Sequence, residues 1–474
     1  MKGDFSRRTL TPNATRVLMQ QGRVQLDADW NEQVAIDAWR LRRFIADALG
    51  RHGGPKDRLG YALEAIEGAD GDFSIGAGRY YVDGWGCENQ RADRRYTTQD
   101  DLPGLKPLAS NESLWPVHYA VWGGVAPDNA PATSDNLLVF LDVWERHVCA
   151  GEDERLLDVA LGGLDTATRA VLMAQVRVLP APAFPAPTRG QKVDPDAAPL
   201  AYLGDLFPEG HRPRLKARAK GTADDADPCL SDPDARYRGP ENQLYRVEIH
   251  RGGPADKATF KWSRDNGSLV FPVVELQSTR ATLQNLGRDE RSTLDAGQWV
   301  ELLDEVRAKH GTPGLMLQVT KVDRDAATVD FSAGGQPVPA LADLVRPFLR
   351  RWDHPSRLGP DAGTQLADGA LKVVEDSGQT GWLRLEDGVE VQFQKPSAND
   401  APYRYRSGDY WLIPARTATG DVEWPGEPDD PQAQPPDGIR HRYAPLALVE
   451  IDDDEVSVKK DLRRQFEGLA KPVA

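Results

Sequence analysis

Residues 242–276, NQLYRVEIHRGGPADKATFKWSRDNGSLVFPVVEL, are the stretch from which the fold class is read. Short runs rich in Val, Ile, Phe, Tyr and Trp recur at 242–250, 258–262 and 268–276, each bounded by Gly, Pro, Asn or Asp. That composition favours strands, because branched and aromatic side chains fit a pleated, half-buried surface. Asn266-Gly267 lies between the second and third runs, and both residue types accept the positive φ that a tight hairpin turn demands. Runs spaced this closely leave no room for crossover helices, so a sandwich or open barrel is expected here and βαβ repeats are not.

The same grammar extends in both directions. Downstream, strands are expected at 298–303, 315–322, 328–331, 371–374, 382–385, 389–393, 410–414 and 442–451, with 425–438 (PGEPDDPQAQPPDG) as a loop too polar for a core. Upstream, 73–86 (FSIGAGRYYVDGWG) reads as a hairpin turning at Asp83-Gly84, and 117–125 and 136–148 read as neighbouring strands, the second buried on both faces. Asp165 is expected to cap a short helix ahead of a strand at 174–179. The Pro/Ala-rich residues 180–199 and the charged stretch 220–240 read as linkers or long loops. No tandem repeat of fixed period is visible. The expected class is mainly β, in several sandwich- or barrel-like modules with one long N-terminal helix. The division expected is an arm, strand and attachment helix at 1–55, a first β-rich domain at 56–180, linker and loops at 181–240, a central β-domain at 241–345 and a C-terminal β-domain at 346–474.

Composition sets bounds on partners. At 474 residues the chain is long enough for several cores. The net charge of −15 argues against nucleic acid or an anionic membrane, since both reward basic surfaces. Cys87, Cys149 and Cys229 lie far apart without CxxC spacing, which indicates reduced thiols and neither a disulfide framework nor a zinc site. Residues 1–16 lack the apolar core of a signal peptide and read as an extended arm, and no run of about 18 apolar residues occurs. Assembly in the cytoplasm follows as the expectation, with no membrane insertion.

Residues 17–49, VLMQQGRVQLDADWNEQVAIDAWRLRRFIADAL, combine an apolar strand-like run, an acidic turn and a helix. Asp29 stands as the expected N-cap and Glu32 as its capping-box partner, with Trp30 at the first helical position and Gly50 closing the helix. Val34, Ala38, Leu41, Ile45 and Ala48 recur at steps of four and three, the seam spacing of helices packed lengthwise. Trp39 and Phe44 mark a second face. A helix with two apolar faces asks for a partner chain, so these seven residues together with Trp30 are the expected oligomer or particle interface.

Catalytic and metal motifs are weak by comparison. Asp27, Asp29 and Glu32 could suit a hard cation, but capping explains them and the alternating ligands and central glycine of an EF-hand are missing. Asp452, Asp453 and Asp454 read as a solvated turn. The eight histidines form no HExxH, and no GxSxG, P-loop or GxGxxG occurs, so no cofactor, metal or catalytic residue is assigned. Tryptophans such as Trp352 or Trp382 could stack on sugars if exposed, and a glycosidase carboxylate pair could hide among 73 acidic residues.

GDFSRRT at 3–9, VLMQQGRVQLDADWNEQ at 17–33, ENQLYRVEIHRGG at 241–253 and ATFKWSRDNGSLV at 258–270 together resemble the DUF6519-type proteins, which occur among components of phage tails and phage-tail-like contractile injection systems. The resemblance is carried by the N-terminal fifty residues and the central β region. It implies a non-enzymatic structural component of a baseplate, fibre or spike, homotrimeric by the commonest choice, with other tail proteins as partners. It also implies assembly inside the producing cell followed by incorporation into an extracellular or virion-like particle. A glycan- or cell-surface-binding module and a polysaccharide-degrading tail-spike enzyme are the alternatives.

Overall fold

The computed structural model describes residues 13–128, 130–184, 194–208, 212–220, 236–287, 291–354, 366–378 and 381–468. The protein is mainly β, as its strand grammar requires. Three large apolar cores organise it. The first lies between a sheet ordered Glu455–Asp461, Arg442–Asp452, Asn136–Val148, Arg169–Pro180 and a smaller one built on His52–Pro55, Gly78–Val82 and Trp85–Asn89. The second fills a sandwich in which Leu215–Ala219 and Val389–Phe393 face Gln243–Arg251, Thr259–Ser263 and Tyr410–Arg416. The third is the interior of a closed barrel of Val270–Leu276, Arg280–Leu283, Thr328–Ser332, Leu315–Asp323, Trp299–Leu303 and Phe348–Trp352.

Residues far apart in sequence share these sheets. Arg442–Asp452 lies antiparallel to Asn136–Val148, and Gln465–Phe466 lies parallel to Gly54 and Pro55. The closure is held by polar bonds as well: Arg464 donates through Nε and a terminal nitrogen to the two Asp196 oxygens, both at 2.7 Å, and its backbone N–H donates to the Tyr80 hydroxyl.

Several expectations are corrected. Residues 17–26 pair with no strand among the described residues; they run back along the helix, where the Val17 N–H donates to Gln33 Oε1 at 2.7 Å. An apolar run without a neighbouring strand has no ladder to join. Residues 117–125 are likewise not a strand, because Trp115–His118 and Ala120–Trp122 form successive helical turns. Pro116 starts the first of them, and Trp115, Tyr119 and Trp122 pack together into a core on the outer face of the first sheet. No helix follows Asp165 among the described residues, and it lies in a two-residue bridge; Asp153 and Asp158 cap the single turns, and the strand begins at Arg169. The proline-rich stretch ends in a helix, Ala197–Leu206. The arm at 1–12 and Cys229 lie outside the described residues.

The N-terminal helix runs from Asp27 to Leu49, one turn earlier than its acidic signature suggested. Leu26 is the N-cap, and Asp29 sits at the third helical position with its carboxylate reaching back to the Leu26 N–H at 3.4 Å. Glu32 is therefore past the cap and is buried instead. The helix is seated at few points. Ala28, Glu32 and Ile36 turn inward, the Arg42 guanidinium lies 3.3 Å over the Trp85 ring, and it pairs with Glu145. The hairpin turn Asp83-Gly84 abuts this point. Gly84 has φ +82°, and a Cβ there would meet the Arg42 carbonyl oxygen at 2.1 Å.

Gly84→Ala therefore strains the turn and collides with helix backbone, which yields far less than a flexible side chain. We expect a loss of about 1–3 kcal/mol, read as a lower urea midpoint at unchanged slope. A wild-type midpoint would show that the helix does not rest on this turn.

Candidate functional site

Period-2 alternation sends every second side chain of the central strands away from its own core. In Gln243–Arg251, Tyr245, Val247 and Ile249 enter the sandwich, while Arg246, Glu248 and His250 face the other way. In Thr259–Ser263, Phe260 and Trp262 enter and Lys261 does not. In the barrel, Val300, Leu302 and Leu349 point inward, and Glu301 and Arg350 point out. These outward sides meet each other and the end of Asn136–Val148, which supplies Trp144, Arg146 and His147. The result is a cavity of about 120 Å³ where all three modules join, walled on its outer side by the short helix Glu305–His310 and residues 311–313.

Strand register fixes the ionic pairs. Glu248 lies opposite Lys261, and Glu301 opposite Arg350. Lys261 Nζ donates to Glu301 Oε2 at 2.5 Å and lies 3.4 Å from Glu248 Oε1, tying sandwich to barrel. Glu301 also accepts from Trp352 Nε1 at 3.0 Å and from the Gly314 N–H at 2.8 Å. Arg246 donates to Glu248 at 2.6 Å and lies over the Tyr410 ring. Glu152 accepts from Arg146 at 3.0 Å and lies 3.3 Å from Arg350, tying the first sheet to the barrel.

Burial opposes the charge on Glu301, yet the Lys261 ammonium and the His250 contact outweigh it and hold the carboxyl well below the usual range. Glu248 and Glu152 are likewise lowered against burial, by Arg246 with Lys261 and by Arg350 with Arg146 respectively. Burial pushes His147 and His354 down to about 4. All seven histidines among the described residues, including His52, His118, His250, His310 and His441, have lowered pKa values with burial as the first cause.

The residues singled out by sequence stand elsewhere. Trp30, Val34, Trp39, Leu41 and Phe44 are exposed, between 52% and 70%, and Ala38, Ile45 and Ala48 bury no better than partly. At 100° per residue, Trp30, Val34, Ala38, Leu41, Phe44, Ile45 and Ala48 lie on the side opposite Ala28 and Ile36. Trp39 shares the inward side but stays half exposed beside Arg43. Trp352 is fully buried and Trp382 lies under the Arg218 guanidinium, so neither is a free stacking platform. Cys87 and Cys149 are buried free thiols. No cluster of three or more His, Cys, Asp or Glu that could hold a metal occurs among the described residues. No described helix is long and apolar enough to cross a membrane.

A family model described as "Family of unknown function (DUF6519)" matches residues 1–194 and 207–460. The chain belongs to the DUF6519 family. The match runs well beyond residues 1–50 and 241–270, through the barrel and the returning strands of the first sheet. No curated protein and no solved structure matches.

Two outcomes follow for this DUF6519 member. Lys261→Met leaves Glu301 buried without its main partner and should cost about 3–5 kcal/mol. Lys261→Met combined with Glu301→Gln should recover a substantial part, so a double-mutant cycle with no coupling would contradict the pairing. For pH, the unfolded chain binds the histidine protons below about 6.5, whereas folded His147 and His354 bind them only near 4. Stability must therefore fall as pH drops from 6.5 toward 4, by about 3 kcal/mol for His354 alone. Glu386, pushed up to about 7 by burial, acts in the opposite direction and reduces the slope. Urea titrations at pH 7.5 and 5 on a Glu386→Gln variant, which removes this offset, measure it, and equal stability at both would refute the burial of these rings.

Proposed function

We propose that this protein is a non-catalytic structural subunit of a phage-tail-like contractile injection system, placed at the baseplate, fibre or spike. It attaches through its N-terminal segment, associates with copies of itself as a homotrimer and contacts other tail proteins. Assembly takes place in the cytoplasm, and the finished particle acts outside the cell. One observation carries this reading: half of the exposed large hydrophobic side chains of the described residues fall within positions 18–44, from Leu18 and Met19 through Val24, Leu26, Trp30, Val34, Trp39 and Leu41 to Phe44. Exposed apolar side chains concentrated in one segment support an interaction site, because leaving them in water forfeits the hydrophobic free energy that burial in a partner recovers. Net charge −15 favours protein partners over nucleic acid or anionic lipid.

A second reading rests on a groove of about 930 Å³ between the start of this helix and the barrel edge, lined by Trp30, Asn31, Glu154, Gln284 and Asn285. An aromatic platform beside amides and carboxylates suits a sugar.

Light scattering on the purified chain should give a multiple of the 52.2 kDa subunit mass. Leu41→Asp should shift it to monomer while the urea midpoint stays within about 0.5 kcal/mol of wild type, since Leu41 touches little of its own fold. A monomeric wild type at micromolar concentration would sink the self-association. Saturable binding on a glycan array, abolished by Trp30→Ala, would replace the structural role with recognition.

A further inference from the structure

The junction cavity is richer in positive than negative charge. Arg146, Arg246, Lys261 and Arg350 line it against Glu152, Glu248 and Glu301, leaving one positive charge uncompensated. His147 and His250 are lowered by burial and add no charge at neutral pH. Arg307, at the rim, is already matched by Asp304.

Two donors on the wall are also unspent. Trp144 Nε1 and Arg350 Nε are buried and have no hydrogen-bond partner among the described residues, although both residues line the cavity and Trp144 is only 3% exposed. Unsatisfied buried donors are rare in native proteins and point to a group that completes them. Water would satisfy the N–H groups but leave the charge, and a buried charge needs a counter-charge or a dense set of hydrogen bonds. The volume, about 120 Å³, equals roughly four waters' share of the liquid, enough for one small anion.

We propose that this cavity is a binding site for one small oxyanion of the carboxylate or phosphate class, held by Arg350 and Trp144 within the field of Arg146 and Arg246. The ligand enters past the half-buried residues 311–313 and neutralises the junction. Because its ligands come from the first sheet, the sandwich face and the barrel, it binds only when the three modules are docked. Occupancy therefore stabilises the assembled fold by mass action.

The test is isothermal titration of the full chain with inorganic phosphate and, separately, with acetate, at ionic strength held constant with chloride, together with thermal unfolding in the same series. One of the two anions should bind at one equivalent per chain and raise the unfolding temperature in a saturable way. Phosphate alone identifies a tetrahedral ligand, and acetate alone a planar one. Arg350→Met should abolish binding. Trp144→Phe keeps an aromatic ring against His441, and should weaken affinity about tenfold, the worth of one hydrogen bond to a charged group. If Arg350→Met does not fold, Trp144→Phe decides. Failure of both anions to bind leaves a water-filled cavity and overturns the proposal, as does equal affinity in Trp144→Phe and wild type.

Discussion

Lys261 and Glu301, 2.5 Å apart and almost completely buried, are the contact on which the joining of the modules depends. Lys261 projects from the back of the sandwich strand, where Glu248 lies 3.4 Å away, and Glu301 from the outside of the barrel, where Trp352 and Gly314 donate to it. Without the other, each would keep only these partners in a low-dielectric interior, and removing it from water would cost several kcal/mol. Together, and with Trp352 Nε1 and the Gly314 N–H completing the carboxylate, they cost far less. The pair is thus less a source of net stability than a constraint on docking, since hydrophobic surfaces alone would tolerate sliding whereas this geometry admits one register.

The same logic repeats around the first sheet. Asp142 lies 2.6 Å from His441 Nδ1 and 2.9 Å from Arg177 Nε, all three buried. His441 is brought to Asp142 by the segment leading into Arg442–Asp452, so a residue near the C-terminal end completes a charge set on a strand laid down some three hundred positions earlier. Polar completion of this kind accompanies the returning strands at Arg464 and Asp196 as well. A chain whose sheets are closed by late segments gains specificity from contacts that only the correct return can satisfy.

The strands were legible because their apolar alternates enter cores: Tyr245, Val247, Ile249, Phe260 and Trp262 stand out in 242–262 for that reason. The junction was not. Arg246, Glu248, His250 and Lys261 are what a solvated sheet face looks like, and period 2 reports only that they share a side. Which surface meets that side is a long-range fact, set by the barrel's own outward residues. Glu301 and Arg350 carry no local mark of it. The strands expected at 17–26 and 117–125 have a related cause, since apolar composition alone does not separate a strand from the exposed irregular segment at 17–26 or the buried helical turns at 115–122, and only the neighbour decides. The helix cap slipped because Asp29 acts equally well from the third position as from the cap itself.

The helix and the junction divide the molecule's labour by the same criterion, whether a surface is satisfied within the chain. Around the junction, most groups costly to bury, Lys261, Glu301 and Glu152 among them, find partners in another module. Along residues 18–44 the reverse holds: the inward contacts through Ala28, Ile36 and Arg42 are enough to orient the helix, and the apolar side is left uncovered. Leu41 and Phe44 stand outside together with the charged Asp37, Arg40, Arg43 and Asp47, while Glu32 is inside. An apolar face left in water carries a hydrophobic cost, and that cost is the physical ground for proposing that a partner covers this one.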